Sequence, residues 1–173
     1  MEKNHIQPKI YYFEDDGIFP NSKYPVLLYK QVFSETGEAA AEWLEKTFKN
    51  NNWYNGWRDG VYSYHHYHSN TQEVLGVYAG RASILLGGDK GELVGVASGD
   101  VVIIPPGVAH KCISKSDDFM VVGAYPNGKN PDLNRGEENE RPQADKKIAN
   151  VPIPDTDPLL GENAGLVEIW NKL

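Results

Sequence analysis

From residue 60 to residue 125 the chain repeats one pattern, short runs rich in Val, Ile and Tyr separated by turns that contain glycine. Successive side chains on a strand point to opposite faces, so short runs bounded by turn residues predict strands. The pattern places them at 61–68, 73–79, 81–86, 92–97, 101–104, 110–114 and 119–125. Gly87-Gly88-Asp89 and Ser98-Gly99-Asp100 supply the turn chemistry between them. There is no period of the propeller or solenoid kind, which leaves a sandwich or barrel. Upstream the period changes to that of a helix. Ala40, Trp43, Leu44, Thr47 and Phe48 make one apolar face over 38–49. Thr36 is the candidate N-cap, but Ala39 stands where a capping box needs Glu or Gln. Asn50-Asn51-Asn52 ends the helix.

The two flanks are less regular. Residues 1–34 are broken by Pro8, Pro20 and Pro25, and only Val26-Leu27-Leu28-Tyr29 reads as a strand. The run from Trp53 to Asp59 either caps a barrel mouth or anchors the helix. Beyond 125 the prolines thicken, and Arg135 to Lys147 is highly charged. Such a stretch is either a disordered tail or an arm laid over the barrel. The return of Leu159, Leu160, Leu166, Val167, Ile169 and Trp170 favours the arm, because a terminal apolar cluster needs something to pack on.

Composition narrows the function classes. A chain of 173 residues with 40% apolar and 24% charged side chains suits one soluble domain spanning 1–173. Its 17 basic against 24 acidic residues give a net charge of −7, a field that repels nucleic acid. Cys112 is the single cysteine, so no intramolecular disulfide holds the fold. Met1 to His5 leads into no apolar run, and no stretch nears the ~20 apolar residues of a membrane span. A cytoplasmic location, away from membranes, is therefore expected.

The chemistry concentrates in the histidines. His65, His66 and His68 fall within four residues. Alternation puts His66 and His68 on one face, with His65 and Tyr67 on the other. Two imidazoles at i and i+2 can converge on one ion. Glu73 can return on the neighbouring strand, and His110 follows the rigid turn Ile104-Pro105-Pro106-Gly107. A surface histidine cluster is the competing reading, and His5, standing alone, reads as an ordinary polar residue.

The joint arrangement resembles the cupin superfamily, with its RmlC-like jelly roll. The first cupin motif is matched by Gly60, His66, His68, Glu73 and Gly80 at the family's spacings. The second is matched by Gly99, Pro105, Gly107 and His110, with Ser114 where the family usually has Asn. Tyr64 to His68, Glu73 to Tyr78, Leu86-Gly87-Gly88, Ser116 to Phe119, Val122 to Pro126 and Asp132 to Gly136 resemble the bacterial YjlB-type group, which is defined by sequence and not by a reaction. The resemblance implies an all-β double-stranded β-helix with one short N-terminal helix, a motif core at 60–125 and an extended C-terminal arm at 126–173. It also implies His66, His68, Glu73 and His110 as metal ligands, and a homodimer.

Three histidines and a carboxylate suit Mn, Fe, Co or Ni in octahedral geometry and tolerate Zn. Two open positions then admit a small-molecule ligand or substrate, as in a catalytic site. The expected function is a small metal-dependent oxygenase or isomerase, with a non-catalytic binding or storage module as the alternative. Alternation expects Tyr62, Tyr64, Leu75, Val77, Cys112 and Ser114 to face into the barrel. Tyr64 is the candidate to orient a substrate or donate a proton. Cys112 reads as a small buried hydrophobe.

Overall fold

A computed structural model describes residues 6–173, so His5 lies outside the described residues. The elements are β1 (Lys9–Phe13), β2 (Ser22–Tyr29), α1 (Gly37–Asn50), β3 (Trp53–Asp59), β4 (Glu73–Ala79), β5 (Arg81–Leu86), β6 (Glu92–Ala97), β7 (Val101–Ile104), β8 (His110–Lys115), β9 (Met120–Pro126), α2 (Gln143–Asn150) and α3 (Leu166–Asn171). Two antiparallel sheets form a jelly roll. One has the order β1-β2-β7-β4-β9-β3 and the other β6-β5-β8.

The strand period of two sorts the side chains into two cores. Val26, Leu28, Leu75, Val77, Val102, Ile104 and Val121 point inward from the large sheet. They meet Ala82, Ile84, Leu86, Val94, Val96 and Cys112 from the small one. The alternate residues Leu27, Tyr29, Val74, Val101, Ile103 and Val122 point outward and are also buried. There they pack against Leu44 and Phe48 of α1 and Leu166 and Trp170 of α3. Burial on both faces explains why β2 and β7 read as unbroken apolar runs. Gly76 lets α1 approach, since a Cβ there would lie 2.6 Å from a methyl of Leu44.

Six of the seven expected strands form near their expected bounds. The expectation of a regular strand at 61–68 is corrected. Among those residues only His66 and Tyr67 make bridge pairings, to His110 and Asn134. A bend at Ser63-Tyr64 breaks the ladder. At the edge of the large sheet stands β3, which was not expected as a strand and pairs with β9. Thr36 caps α1 in extended geometry without a side-chain hydrogen bond. The buried side of α1 is Ala40, Ala41, Leu44 and Phe48, while Trp43 and Thr47 are half-buried. No helix among the described residues is long and apolar enough to cross a membrane.

The C-terminal arm lies against the large sheet, and it is folded into α2 and α3 in addition to its extended parts. Asp157, fully buried, holds it there. Its carboxylate accepts hydrogen bonds from the Tyr29 hydroxyl (2.8 Å) and from the backbone N–H groups of Leu159 (2.8 Å), Leu160 (3.0 Å) and Leu166 (2.9 Å). The indole N–H of Trp170 donates to the Pro25 carbonyl at 3.2 Å, and that of Trp53 to the Thr156 carbonyl at 3.1 Å.

Candidate metal centre

Residues 62–68 run beside the start of β8, joined to that segment at Tyr62, His66 and His68. Cys112 N–H donates to the Tyr62 carbonyl and Gly107 N–H to the His68 carbonyl. Between them His66 and His110 exchange both backbone hydrogen bonds, at 3.2 and 2.9 Å. This pairing is sparse, yet it keeps the alternation that a full strand would impose. His66 and His68 therefore share a face, and the His66 and His110 rings lie 4.0 Å apart. His65 points away, with Nε2–H donating to Asp89 at 2.7 Å.

One ring nitrogen from each of His66, His68 and His110 lies within 4.8 Å of the others, and all three residues are buried. The other nitrogens identify the tautomers. Nδ1 of His66 faces the Tyr64 carbonyl at 3.1 Å, Nδ1 of His110 the Val108 carbonyl at 3.0 Å, and Nδ1 of His68 the Asp132 carbonyl. A carbonyl can only accept, so each Nδ1 carries a proton and each ring turns its Nε2 to the cluster. Backbone carbonyls behind histidine rings are the usual way a protein fixes ligand orientation. Three buried histidines arranged this way can bind a metal.

Glu73, the first residue of β4, closes the cluster. Its Oε1 lies 3.2 Å from His110 Nε2 and its Oε2 3.3 Å from His68 Nε2. Burial would raise the Glu73 carboxyl, but the His68 charge and the hydrogen bonds from His110 and His68 hold it well below its usual range. Burial alone would lower His68, and the charge and hydrogen bond of Glu73 outweigh that and raise it. Burial, with His110 beside it, pulls His66 down to about 3.

Three neighbours were not legible as site residues. The Tyr125 hydroxyl on β9 donates to Glu73 Oε2 at 2.9 Å and accepts from the Trp57 indole N–H of β3 at 2.8 Å. Burial, with Glu73 next to it, keeps the Tyr125 hydroxyl above its usual range and therefore protonated. Asp132 brings the carbonyl behind His68, and its carboxylate accepts from the Ser69 N–H at 2.7 Å and from the Ser69 hydroxyl. The sequence held one signal for it, the Asp132 to Gly136 segment that resembles the YjlB-type group.

Tyr64 meets the cluster through its carbonyl, behind His66 Nδ1, and through its ring, edge-on to the His66 ring at 5.8 Å. Its ring stacks on Tyr62 at 4.8 Å and lies outside the cavity lining, so the phenol that touches the ligand set is that of Tyr125. Tyr62 lines the cavity mouth and is 53% exposed, which corrects its expected place in the barrel interior. Leu75 lines the cavity, and Val77 and Cys112 are interior as expected. Burial raises the Cys112 thiol, in keeping with an inert hydrophobe. Ser114 is exposed, because a register shift between Cys112 and Ser114 against β5 reverses the alternation.

The cavity above the cluster measures about 380 Å³ and includes Trp57, Val61, Tyr62 and Leu133 in its walls. That volume is at the small end of the range for small-molecule sites.

A family model described as Cupin matches residues 58–135. The uncharacterized protein YjlB of Bacillus subtilis (strain 168) is 42% identical over 167 residues, spanning 96% of this chain and 98% of its own. Among solved structures, a DUF861 family protein from Thermotoga maritima is 18% identical with a TM-score of 0.34, covering 45% of this chain and 83% of its own. An acireductone dioxygenase from Bacillus anthracis, solved with cadmium in its active centre, is 17% identical with a TM-score of 0.40, covering 62% of this chain and 82% of its own. The likeness to YjlB runs through nearly all of both chains, and with the motif match it shows that this chain belongs to the cupin family.

Proposed function

We propose that the whole chain serves one cupin domain whose His66, His68, His110 and Glu73 hold a divalent transition metal, and that a small molecule reacts there. The observation that carries this is the set of Nδ1–H groups committed to backbone carbonyls. It turns the three Nε2 atoms toward an ionised carboxylate, those of His110 and His68 at 3.2 and 3.3 Å from it. A divalent ion among them would take the place of the protons that His68 and His110 direct at Glu73. Nitrogen and oxygen donors of this kind fit Fe, Mn, Co, Ni or Zn. A divalent ion there would polarise a substrate oxygen. The cavity of about 380 Å³ beside the cluster supports a reaction over a purely structural ion, and the oxygenase and isomerase readings both stay within it. Tyr64 then acts by orienting His66 through its carbonyl.

Tyr125 and Trp57 hold Glu73 in place in this reading. Tyr125→Phe removes the hydroxyl that fixes Oε2, and the metal Kd is expected to weaken about tenfold, as is usual when a ligand loses its hydrogen-bond support. Titration of the metal-free variant measures it. Trp57→Phe has a smaller effect, and adding it to Tyr125→Phe changes little, since both act through one hydrogen-bond chain.

The proton on His68 gives a pH dependence. Its pKa is raised above 6.5 by the Glu73 charge beside it, so an incoming ion must displace that proton. His66, at about 3, is already bare. Metal affinity therefore falls as pH drops through the raised His68 value, by about tenfold per pH unit for one displaced proton. Titrations from pH 8 down to pH 5.5 test the slope, and a flat profile contradicts it.

The reaction itself is tested by screening metal-loaded protein against a metabolite library for thermal stabilisation, then incubating each hit and analysing it by mass spectrometry. Ligands of the native state raise apparent stability by mass action. At least one stabilising compound should be converted. If every stabilising compound is recovered unchanged, with and without oxygen, the chain is a binding or storage module.

A further inference from the structure

The walls of the cavity restrict the charge of what can enter it. Trp57, Val61, Tyr62, Leu75, Pro131 and Leu133 present mainly apolar or aromatic surface. Among the described residues Arg58 is the only cationic one on the lining, and its guanidinium is engaged on α1. It donates to Glu45 at 2.6 and 3.1 Å and to Glu38 at 2.7 Å. Two other cations are near the mouth. Arg135 lies 3.9 Å over the Tyr64 ring, and Lys147 stands 3.6 Å from the Asp132 carboxylate. Both have their own partners and neither lines the cavity. Asp59 and Asp132 add negative charge to the wall.

We propose that the site selects a ligand with at most one ionised group, that group being the oxygen at the metal, on a small flat body that is otherwise uncharged. The inference rests on the metal reading above. A divalent ion less the Glu73 carboxylate leaves one positive charge, enough for one anionic donor. A second anionic group would lie against apolar wall and the Asp59 and Asp132 carboxylates, where the cations among the described residues are already engaged, and an unpaired charge in such surroundings is costly. Tyr62 favours a flat body, since its ring is half-exposed into the cavity mouth and held in orientation by Tyr64, their planes 16° apart. Dicarboxylates and phosphorylated compounds are thereby disfavoured, and neutral hydroxy-ketones or phenols favoured.

Kojic acid and comenic acid test this as a matched pair. They share the hydroxypyrone ring and its chelating edge, and differ across the ring, where one has a hydroxymethyl group and the other a carboxylate. Each is titrated into the full chain loaded with Co(II), the metal content being measured before and after. Affinities are corrected for how strongly each compound binds free Co(II). Kojic acid is expected to bind at least about tenfold more tightly than comenate, the scale of an unpaired charge in a partly closed site. Leu133→Lys, at a rim position 48% exposed, should raise comenate affinity relative to that of kojic acid and so narrow the difference. Equal or tighter comenate binding with full metal loading overturns the inference and leaves the metal site standing. Failure of both compounds to bind, or loss of the ion to either, overturns it as well. A chain that takes up no Co(II) overturns the metal reading and this inference with it.

Discussion

His110→Ala is expected to empty the metal site while the barrel stays folded. His110 is 1% exposed and contributes both an Nε2 to the cluster and a backbone pairing to His66. Alanine keeps the pairing and loses the nitrogen, so His66 and His68 remain in position with one donor fewer. The loss should exceed that from removing a supporting hydrogen bond, which is about 10- to 100-fold in affinity. Metal content after reconstitution and desalting should fall from about one ion per chain to below about 0.1. Circular dichroism should still report the β fold. His65→Ala is the control, because its ring bonds Asp89 on the far side and should leave metal content unchanged. Retention of the ion by His110→Ala, or its loss in His65→Ala, would contradict the ligand set.

Asp157→Ala is expected to have the largest effect on stability. The carboxylate is buried and serves four donors, the Tyr29 hydroxyl and three backbone N–H groups. Alanine leaves them without an acceptor in a dry site, at about 1–3 kcal/mol for each that water cannot reach. Some relaxation is certain, and a net cost of about 4 kcal/mol is a large part of the 5–15 kcal/mol that stabilises a typical domain. Denaturant unfolding measures it. Asp157→Asn should cost less, since it keeps one oxygen acceptor. The metal site should be affected less than the arm, because Leu166 and Trp170 pack on the outer face of the sheet, opposite the cavity. A change below about 1 kcal/mol in Asp157→Ala would show that these bonds do not hold the arm.

What could be read from the sequence depended on how local its cause was. The strands from Glu73 onward were legible because glycine turns cut the chain and apolar residues filled each run. The His66/His68 pair was legible because it needs only alternation, which survives in a segment with sparse pairing. β3 was not legible. Its Trp-Tyr-Asn-Gly-Trp-Arg-Asp order lacks a clean period, since a register shift between Tyr54 and Trp57 breaks the alternation and Asn55 has a positive φ of 60°. Ser114 was misplaced for the same kind of reason, a bulge invisible in the residue types. Tyr125 looks like core in its apolar strand, and only a contact to Glu73, 52 residues away, gives it a role. Asp132 likewise reaches His68 from 64 residues away. Such contacts are set by how the strands pair, which local patterning does not encode.

The most direct test of the metal centre is a crystal structure of the Co(II)-loaded full chain with anomalous data at the cobalt edge. One strong anomalous peak is predicted, in contact with Nε2 of His66, His68 and His110 and with the Glu73 carboxylate. No peak there, or a peak coordinated by other residues, would contradict the account.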